Sequence, residues 1–248
     1  MPQEYSIESI EQLIAVLENF KDQDIKWYRG QGNKNWQLMP NLLRKKATTS
    51  EKTIVNRFMQ NASMLLGNKP TSYFDWLFLM QHYGVPTRLL DWSESPLVAL
   101  FFAASSEMEH DGALWILDPI KLNALANVKR DGELDFISSF EDKYLTTFTF
   151  QSMEEAPHIE MKPLATIATR NNVRIQAQQG VFTIHQLDNT PIDALYNGQH
   201  VVKIIISKDS KKKILEDLKL LGFSRFQLFP ELASIGELVS GAIKYELH

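Results

Sequence analysis

The 248-residue chain contains no cysteine. That excludes disulfides, thiolate metal sites and cysteine nucleophiles, and it fits a reducing compartment such as the cytoplasm. No apolar run approaches the ~18 residues that a membrane-spanning helix needs. The opening residues, Met1 to Tyr5, are polar and acidic, so no signal peptide is expected. Basic charge is not in excess. Lys and Arg number 26 against 30 Asp and Glu, a formal charge of -4, without the global basic footprint of a duplex-DNA binder. The six histidines are scattered at 82, 110, 158, 185, 200 and 248 with no H-x-x-x-H spacing, which argues against a metal site. Phosphate-binding fingerprints are also missing. There is no G-x-x-x-x-G-K-[ST] loop, and Gly30-Gln31-Gly32 lacks the third glycine and the following helix of a dinucleotide-binding turn. No G-x-S-x-G elbow presents a serine nucleophile.

What is present reads as one elaborated globular domain, 44% hydrophobic and 23% charged. Periodicity predicts a helix over residues 6–20 capped by Ser6, a strand over 25–30, and a helix over 50–66 capped by Ser50. A buried helix over 73–83 should end at Gly84. A central strand follows over 87–92, then a buried helix capped by Ser93 or Ser95 with Pro96 in its first turn. Leu90, Leu97, Leu100, Phe101 and Ala104 are expected in the core. Further strands are expected at 112–119, around Ile167, at 173–175, at 180–185 and at 201–206. Helices are expected after Ser210 and after Pro230. Residues 120–165 are weakly patterned and read as irregular with short helices, a candidate lid. The class is α+β.

Two stretches are dense in polar groups. One is Trp27-Tyr28-Arg29-Gly30-Gln31; the other runs from Leu79 to Pro96. A guanidinium at Arg29 beside flexible glycine suits phosphate or carboxylate, and the alternative is a surface or salt-bridging arginine. Alternation sets Arg88 and Leu90 on one face of their strand and Leu89 and Asp91 on the other. For Arg88 a structural ion pair is favoured over a ligand contact, whereas Asp91 is better placed for a cleft. His82 reads as a helix-end residue, and a Ser93–His82–Asp91 triad is conceivable from local order. Gln176, Gln178 and Gln179 either are solvated or offer amides to a sugar hydroxyl. Lys211-Lys212-Lys213 reads as a solvated helix face. Nucleic-acid processing through His82, Arg88 and Asp91 is a weaker option, given the acidic balance.

Trp27-Tyr28-Arg29-Gly30-Gln31 resembles the signature of the FRG domain. Gln81 to Ser93, followed by Pro96 to Ala103, is similar to that family's central block. Gln179-Gly180-Val181-Phe182 and Leu228 to Leu232 resemble its C-terminal blocks. The resemblance implies an FRG domain over 25–248 with C-terminal helices, and an N-terminal helix over 1–24 packed on it. It further implies an ADP-ribosyltransferase-like split β-sheet core with flanking helices, and NAD as substrate or ligand. Carried over, Arg29 takes the first catalytic place, Ser93 the second and Gln179 the third, with Gln178 beside it. Tyr28, Gly30, Gln31, His82, Tyr83, Arg88, Asp91 and Trp92 would complete the nucleotide site, Tyr83 or Trp92 stacking on nicotinamide. The family's usual glutamate is missing at the third place unless an acid such as Glu231 replaces it. A glutamine holds a hydroxyl but takes no proton. The resemblance therefore implies either a transferase, of the kind used as toxins or in phage defence, or a non-catalytic nucleotide-sensing or protein-interaction module. The histidine spacing and the lack of a long apolar run leave no metal and no membrane expected, and the macromolecular target stays open.

Overall fold

The computed structural model describes residues 2–22, 25–44, 49–67, 69–128, 137–139, 142–158, 160–168 and 173–242. The strands are β1 (Gln3–Ile7), β2 (Trp27–Gln31), β3 (Leu89–Ser93), β4 (Gly112–Leu117), β5 (Ser138–Ser139), β6 (Leu164–Ile167), β7 (Gly180–Ile184) and β8 (Val201–Ile206). The helices are α1 (Ile10–Glu18), α2 (Asn41–Arg44), α3 (Glu51–Ala62), α4 (Tyr73–His82), α5 (Pro96–Ala104), α6 (Pro119–Leu125), α7 (Lys143–Thr146), α8 (Phe150–Glu155), α9 (Val173–Ala177), α10 (Lys211–Leu220), α11 (Arg225–Leu228) and α12 (Leu232–Ala242). The chain is α+β: one mixed sheet in the order β1-β8-β4-β2-β3-β7-β6-β5, with helices on its faces. The β1–β8 and β5–β6 pairs are parallel and the rest antiparallel.

The sheet is weakest in its middle. β2 meets β4 over five register pairs and β3 meets β7 over five, but β2 meets β3 at Tyr28 and Ser93 alone. Beyond that pair the two strands part, and the opening holds the candidate site. The core divides accordingly. Leu13 of α1, Leu100 of α5 and Ile214 of α10 pack on Tyr28, Leu114 and Ile204 over one half. Leu77 and Met80 of α4 pack on Leu89, Phe182 and Ile184 over the other. Trp27, Trp92 and Trp115 share the opposite face with Leu122 and Ile192.

α5 sits hard against β2, and Gly30 is the reason it can. A Cβ at Gly30 would overlap the Ala99 carbonyl oxygen and lie 2.6 Å from the Ala103 nitrogen. Both are helix backbone and cannot swing aside. Gly30→Ala should therefore lose stability by at least the ~1–3 kcal/mol typical of overpacking, read as a lower midpoint in chemical denaturation. An unchanged midpoint would mean that α5 slides freely on β2.

Several expectations need correction. Residues 6–20 are not one helix. Gln3 to Ile7 pair with Val202 to Ile206, and α1 starts only at Ile10, capped by Ser9, whose Oγ accepts from Gln12 N–H. Ile7 fits a helical period and an alternating strand alike, and the ladder decides. Val173 to Ile175, read as a strand, begin helix α9. Leu100, Ala104 and Leu90 are buried, whereas Leu97 and Phe101 are only partly so. Lys211 is not on a solvated face. It is fully buried, and its Nζ donates to the carbonyls of Gly32 (2.7 Å), Ser106 (2.9 Å) and Glu107 (3.0 Å). Burial lowers its pKa, but all three ammonium donors are satisfied. Of the candidate lid, residues 129–136, 140–141 and 159 lie outside the described residues. The others include α6, α7 and α8.

Candidate functional site

The opening between β2 and β3 leads into a cavity of about 260 Å³. Three strands and three helices bring its lining together. β2 supplies Tyr28, Arg29 and Gly30, and β3 with β7 supplies Asp91, Trp92, Ser93, Gly180 and Phe182. The C-terminal end of α4 supplies Phe78, Gln81 and His82. α5 supplies Val98, Ala99 and Phe102, while the α9 turn supplies Arg174, Ile175 and Gln178. Among the described residues, none of 120–165 lines this cavity.

Local sequence explains how each group arrives. Ser72 and Asp75 form a reciprocal capping box that starts α4. Gly84, at φ +75°, ends the segment, which leaves Gln81 and His82 at the rim. Ser95 caps α5 and Pro96 opens it, so the chain turns directly from Ser93 into the helix that floors the cavity.

Arg29 is the strongest feature. Its Nη1 donates to the Asp91 carbonyl at 2.5 Å, bridging the parted strands. Its Nε is buried and has no hydrogen-bond partner. Burial lowers its pKa to about 10, with Asp91 opposing and Arg44 adding to the fall. It remains a cation at neutral pH. An unsatisfied buried N–H on a cation is costly unless an acceptor arrives. Arg174 brings a second guanidinium. Its Nη1 donates to the His82 carbonyl at 3.1 Å, and it stacks on Phe229 at 4.6 Å.

Asp91 carries the one carboxylate among the described lining residues. Gln81 Nε2 donates to its Oδ2 at 2.8 Å. The Gln81 amide is itself fixed, because Thr87 Oγ1 donates to its Oε1. His82 Nδ1 is buried and without a partner, and its Nε2 lies 3.8 Å from Glu231 Oε1. Burial lowers the His82 pKa, Arg174 adds to this and Glu231 opposes it.

Ser93 lines the cavity, but its hydroxyl is occupied. It donates to the Gln178 carbonyl at 2.7 Å and accepts from Ser95 N–H at 3.0 Å. It makes no triad with His82 and Asp91. Gln179 is brought elsewhere. It sits at φ +47° in the tight turn into β7, its side chain is exposed, and it does not line the cavity. Gln178 does line it, and its Nε2 donates to the Leu228 carbonyl at 2.9 Å. Gln31 is buried behind the cavity, donating to the Gln37 carbonyl and accepting from Trp115 Nε1.

Tyr83 is exposed and outside the lining. The Trp92 indole is buried and donates to Thr183 Oγ1 at 3.1 Å, so it is not presented for stacking. The other aromatic rings of the lining are Tyr28, Phe78, Phe102 and Phe182. Arg88 is held away from the cavity by Glu51. Phe78, Phe102, Arg174 and Phe182 received no role from the sequence. Arg174 and Gln178 stand four apart and would share a helical face, a signal hidden by reading that segment as a strand. Among the described residues no group of three His, Asp or Glu side chains is placed to hold a metal. No described helix is long and apolar enough to cross a membrane.

The family model of the FRG domain matches residues 24–112. That span contains β2, α4, β3 and α5, and with them Arg29, Gln81, His82, Asp91 and Ser93. Arg174, Gln178, Gly180 and Phe182 complete the cavity from outside it. No curated protein and no solved structure matches the chain.

Proposed function

The chain carries an FRG domain over residues 24–112, and from that premise we propose that its central cavity binds NAD through Arg29, as an ADP-ribosyltransferase-like nucleotide pocket. The observation behind this is the Arg29 guanidinium, anchored at one nitrogen and unsatisfied at another, at the mouth of a cavity that Arg174 also lines. Two guanidiniums against one carboxylate favour an anion, and planar donors suit phosphate oxygens. At about 260 Å³ the cavity is slightly smaller than the usual ligand pocket of about 300–1,000 Å³. It takes one half of a dinucleotide, with the pyrophosphate at the rim beside the arginines. Tyr28, Phe78, Phe102 and Phe182 provide the apolar walls for the ring.

A second reading, a sensing module that binds without turnover, is favoured by the two glutamines. Gln178 spends a donor on Leu228 and Gln179 is outside the cavity. Neither can take a proton. Use as a toxin or phage-defence effector requires turnover and falls with it.

Calorimetric titration of NAD, paired with an assay for released nicotinamide, tests both readings. Arg29→Ala should weaken binding roughly ten- to a hundredfold, the size of a charge-assisted contact of ~1.5–3 kcal/mol. Arg29→Lys should recover only part, keeping charge but not the fork. Release that depends on Arg29 supports the transferase, and binding without release supports the sensor. Folded wild-type protein that binds no NAD would end the proposal.

A further inference from the structure

The carboxylate of Asp91 has a geometry that the glutamines lack. It lies in the cavity, on the strand facing Arg29, and one of its oxygens is held. Gln81 Nε2 donates to Oδ2 at 2.8 Å, and the same nitrogen lies 3.4 Å from the Leu89 carbonyl. Thr87 fixes which way the amide faces. Its hydroxyl accepts from Leu89 N–H at 3.2 Å and donates to Gln81 Oε1. Gln81 therefore presents a donor, not an acceptor, to Asp91. This chain of bonds starts at the β3 backbone and ends at the carboxylate, so Asp91 is positioned before any ligand arrives. An ionised carboxylate accepts only, through two oxygens and about four lone-pair sites. Gln81 uses one site of Oδ2, which leaves acceptor capacity facing the cavity.

A carboxylate beside a phosphate site would repel the ligand unless the ligand also brought donors. A sugar phosphate does so, with an anion at one end and hydroxyl donors a few bonds away. Arg29 and Asp91 are arranged in that sense. The guanidinium bonds to the backbone carbonyl of Asp91 rather than to its side chain. The two charges attract each other, but the hydrogen bond goes to the backbone, so each side chain keeps capacity for a ligand.

We propose that Asp91, positioned by Gln81 and Thr87, accepts a hydrogen bond from a ribose hydroxyl and makes the cavity selective for ribose phosphates over their deoxy counterparts. Gln179 lies outside the cavity, and Gln178 lines it with its Nε2 tied to the Leu228 carbonyl and without a charge to strengthen a hydroxyl contact. The proposal rests on the nucleotide reading of the cavity and names the group within it that reads the sugar.

The test uses three probes: ribose 5-phosphate, 2-deoxyribose 5-phosphate and inorganic pyrophosphate, titrated alongside NAD. Wild-type protein should prefer ribose 5-phosphate over the deoxy sugar by roughly tenfold or more, the size of one hydrogen bond to a charged acceptor. Asp91→Asn should erase that preference. It should also bind pyrophosphate more tightly than wild type, because a negative charge near the anion site is gone. That opposite movement would not follow from a merely structural role, and pyrophosphate binding shows the variant is folded. Gln81→Leu, which releases the carboxylate, should reduce the preference for the ribose sugar. An Asp91→Asn protein that keeps the wild-type preference overturns the proposal, as does wild-type protein that binds NAD without distinguishing the two sugars. If wild-type protein binds neither NAD nor pyrophosphate, the nucleotide reading fails first and this assignment fails with it.

Discussion

Lowering the pH from 7 to 4.5 should strip most of the stability from this protein, through two buried histidines. His185 and His200 are almost wholly inaccessible. Each uses Nε2 toward a carbonyl, His185 at 3.2 Å from Thr190 and His200 at 3.0 Å from Ile192. Each also has a buried Nδ1 with no partner. The neutral ring with its proton on Nε2 satisfies that arrangement. The cation would bury a second N–H with nothing to receive it. Burial accordingly pushes both pKa values down from 6.5 to about 4, only partly offset by the carbonyl contacts.

The sign follows from linkage. The folded state resists protonation, so the unfolded chain binds more protons below pH 6.5. Stability is complete above that pH and drains away as the pH falls toward 4. A displacement of this size corresponds to about 3 kcal/mol per histidine when complete. Two such losses rival the total of about 5–15 kcal/mol that holds most domains together. Denaturation midpoints measured from pH 7.5 to 4.5 should fall steeply over that window. His185→Gln with His200→Gln should flatten the fall, because each glutamine keeps an N–H and does not titrate. A wild-type midpoint that stays level between pH 6.5 and 4.5 would show that both rings are solvated.

These two rings also mark where sequence reading stops. Both histidines appeared only as scattered positions, because the carbonyls that receive them lie on the connection from β7 to β8, whose path the local pattern does not describe. Segments whose ends are chemically marked were legible. Ser50 does begin α3, Ser95 with Pro96 does begin α5, and Gly84 does sit left-handed after α4. Arg29 and Asp91 were each legible as polar groups on strands, and the structure brings them together at the parting of β2 and β3.

What was lost is what long-range packing decides. Lys211 looked solvated because its three carbonyls come from 32, 106 and 107. Gln179 looked equivalent to Gln178 until the left-handed turn sent it outward. Val173 and Ile175 have the branching of strand residues, yet α9 forms. There Ile175 lies against Gly180, its Cγ2 methyl 3.2 Å from where a Cβ would be, and Arg174 reaches His82.

Arg88 combines both lessons, and breaking its ion pair should be the most damaging single substitution described so far. It stands just before β3 and is 7% exposed. Its Nε donates to Glu51 Oε1 at 3.0 Å and Oε2 at 2.8 Å, and its Nη2 also bonds Glu51. Nη1 faces the carbonyls of His185 and Gln186 at 3.3 and 3.4 Å. One side chain thus ties the first turn of α3 to the start of β3 and the end of β7. Burial works against its charge, but hydrogen bonding to Glu51 and the carboxylate's charge outweigh it and raise the pKa.

Removing either partner leaves the other buried and unpaired, a loss of about 3–5 kcal/mol. Arg88→Ala or Glu51→Ala should therefore lower the melting temperature by roughly 6–20 °C, at about 2–4 °C per kcal/mol in a chain of this size. Replacing both together, Arg88→Met with Glu51→Leu, should recover much of the loss, because no lone charge remains. Arg88 does not line the cavity, so on the proposed NAD reading the folded fraction of each variant should match wild type in an NAD titration. Arg88→Ala protein that melts normally but loses NAD binding would move Arg88 from the scaffold into the site.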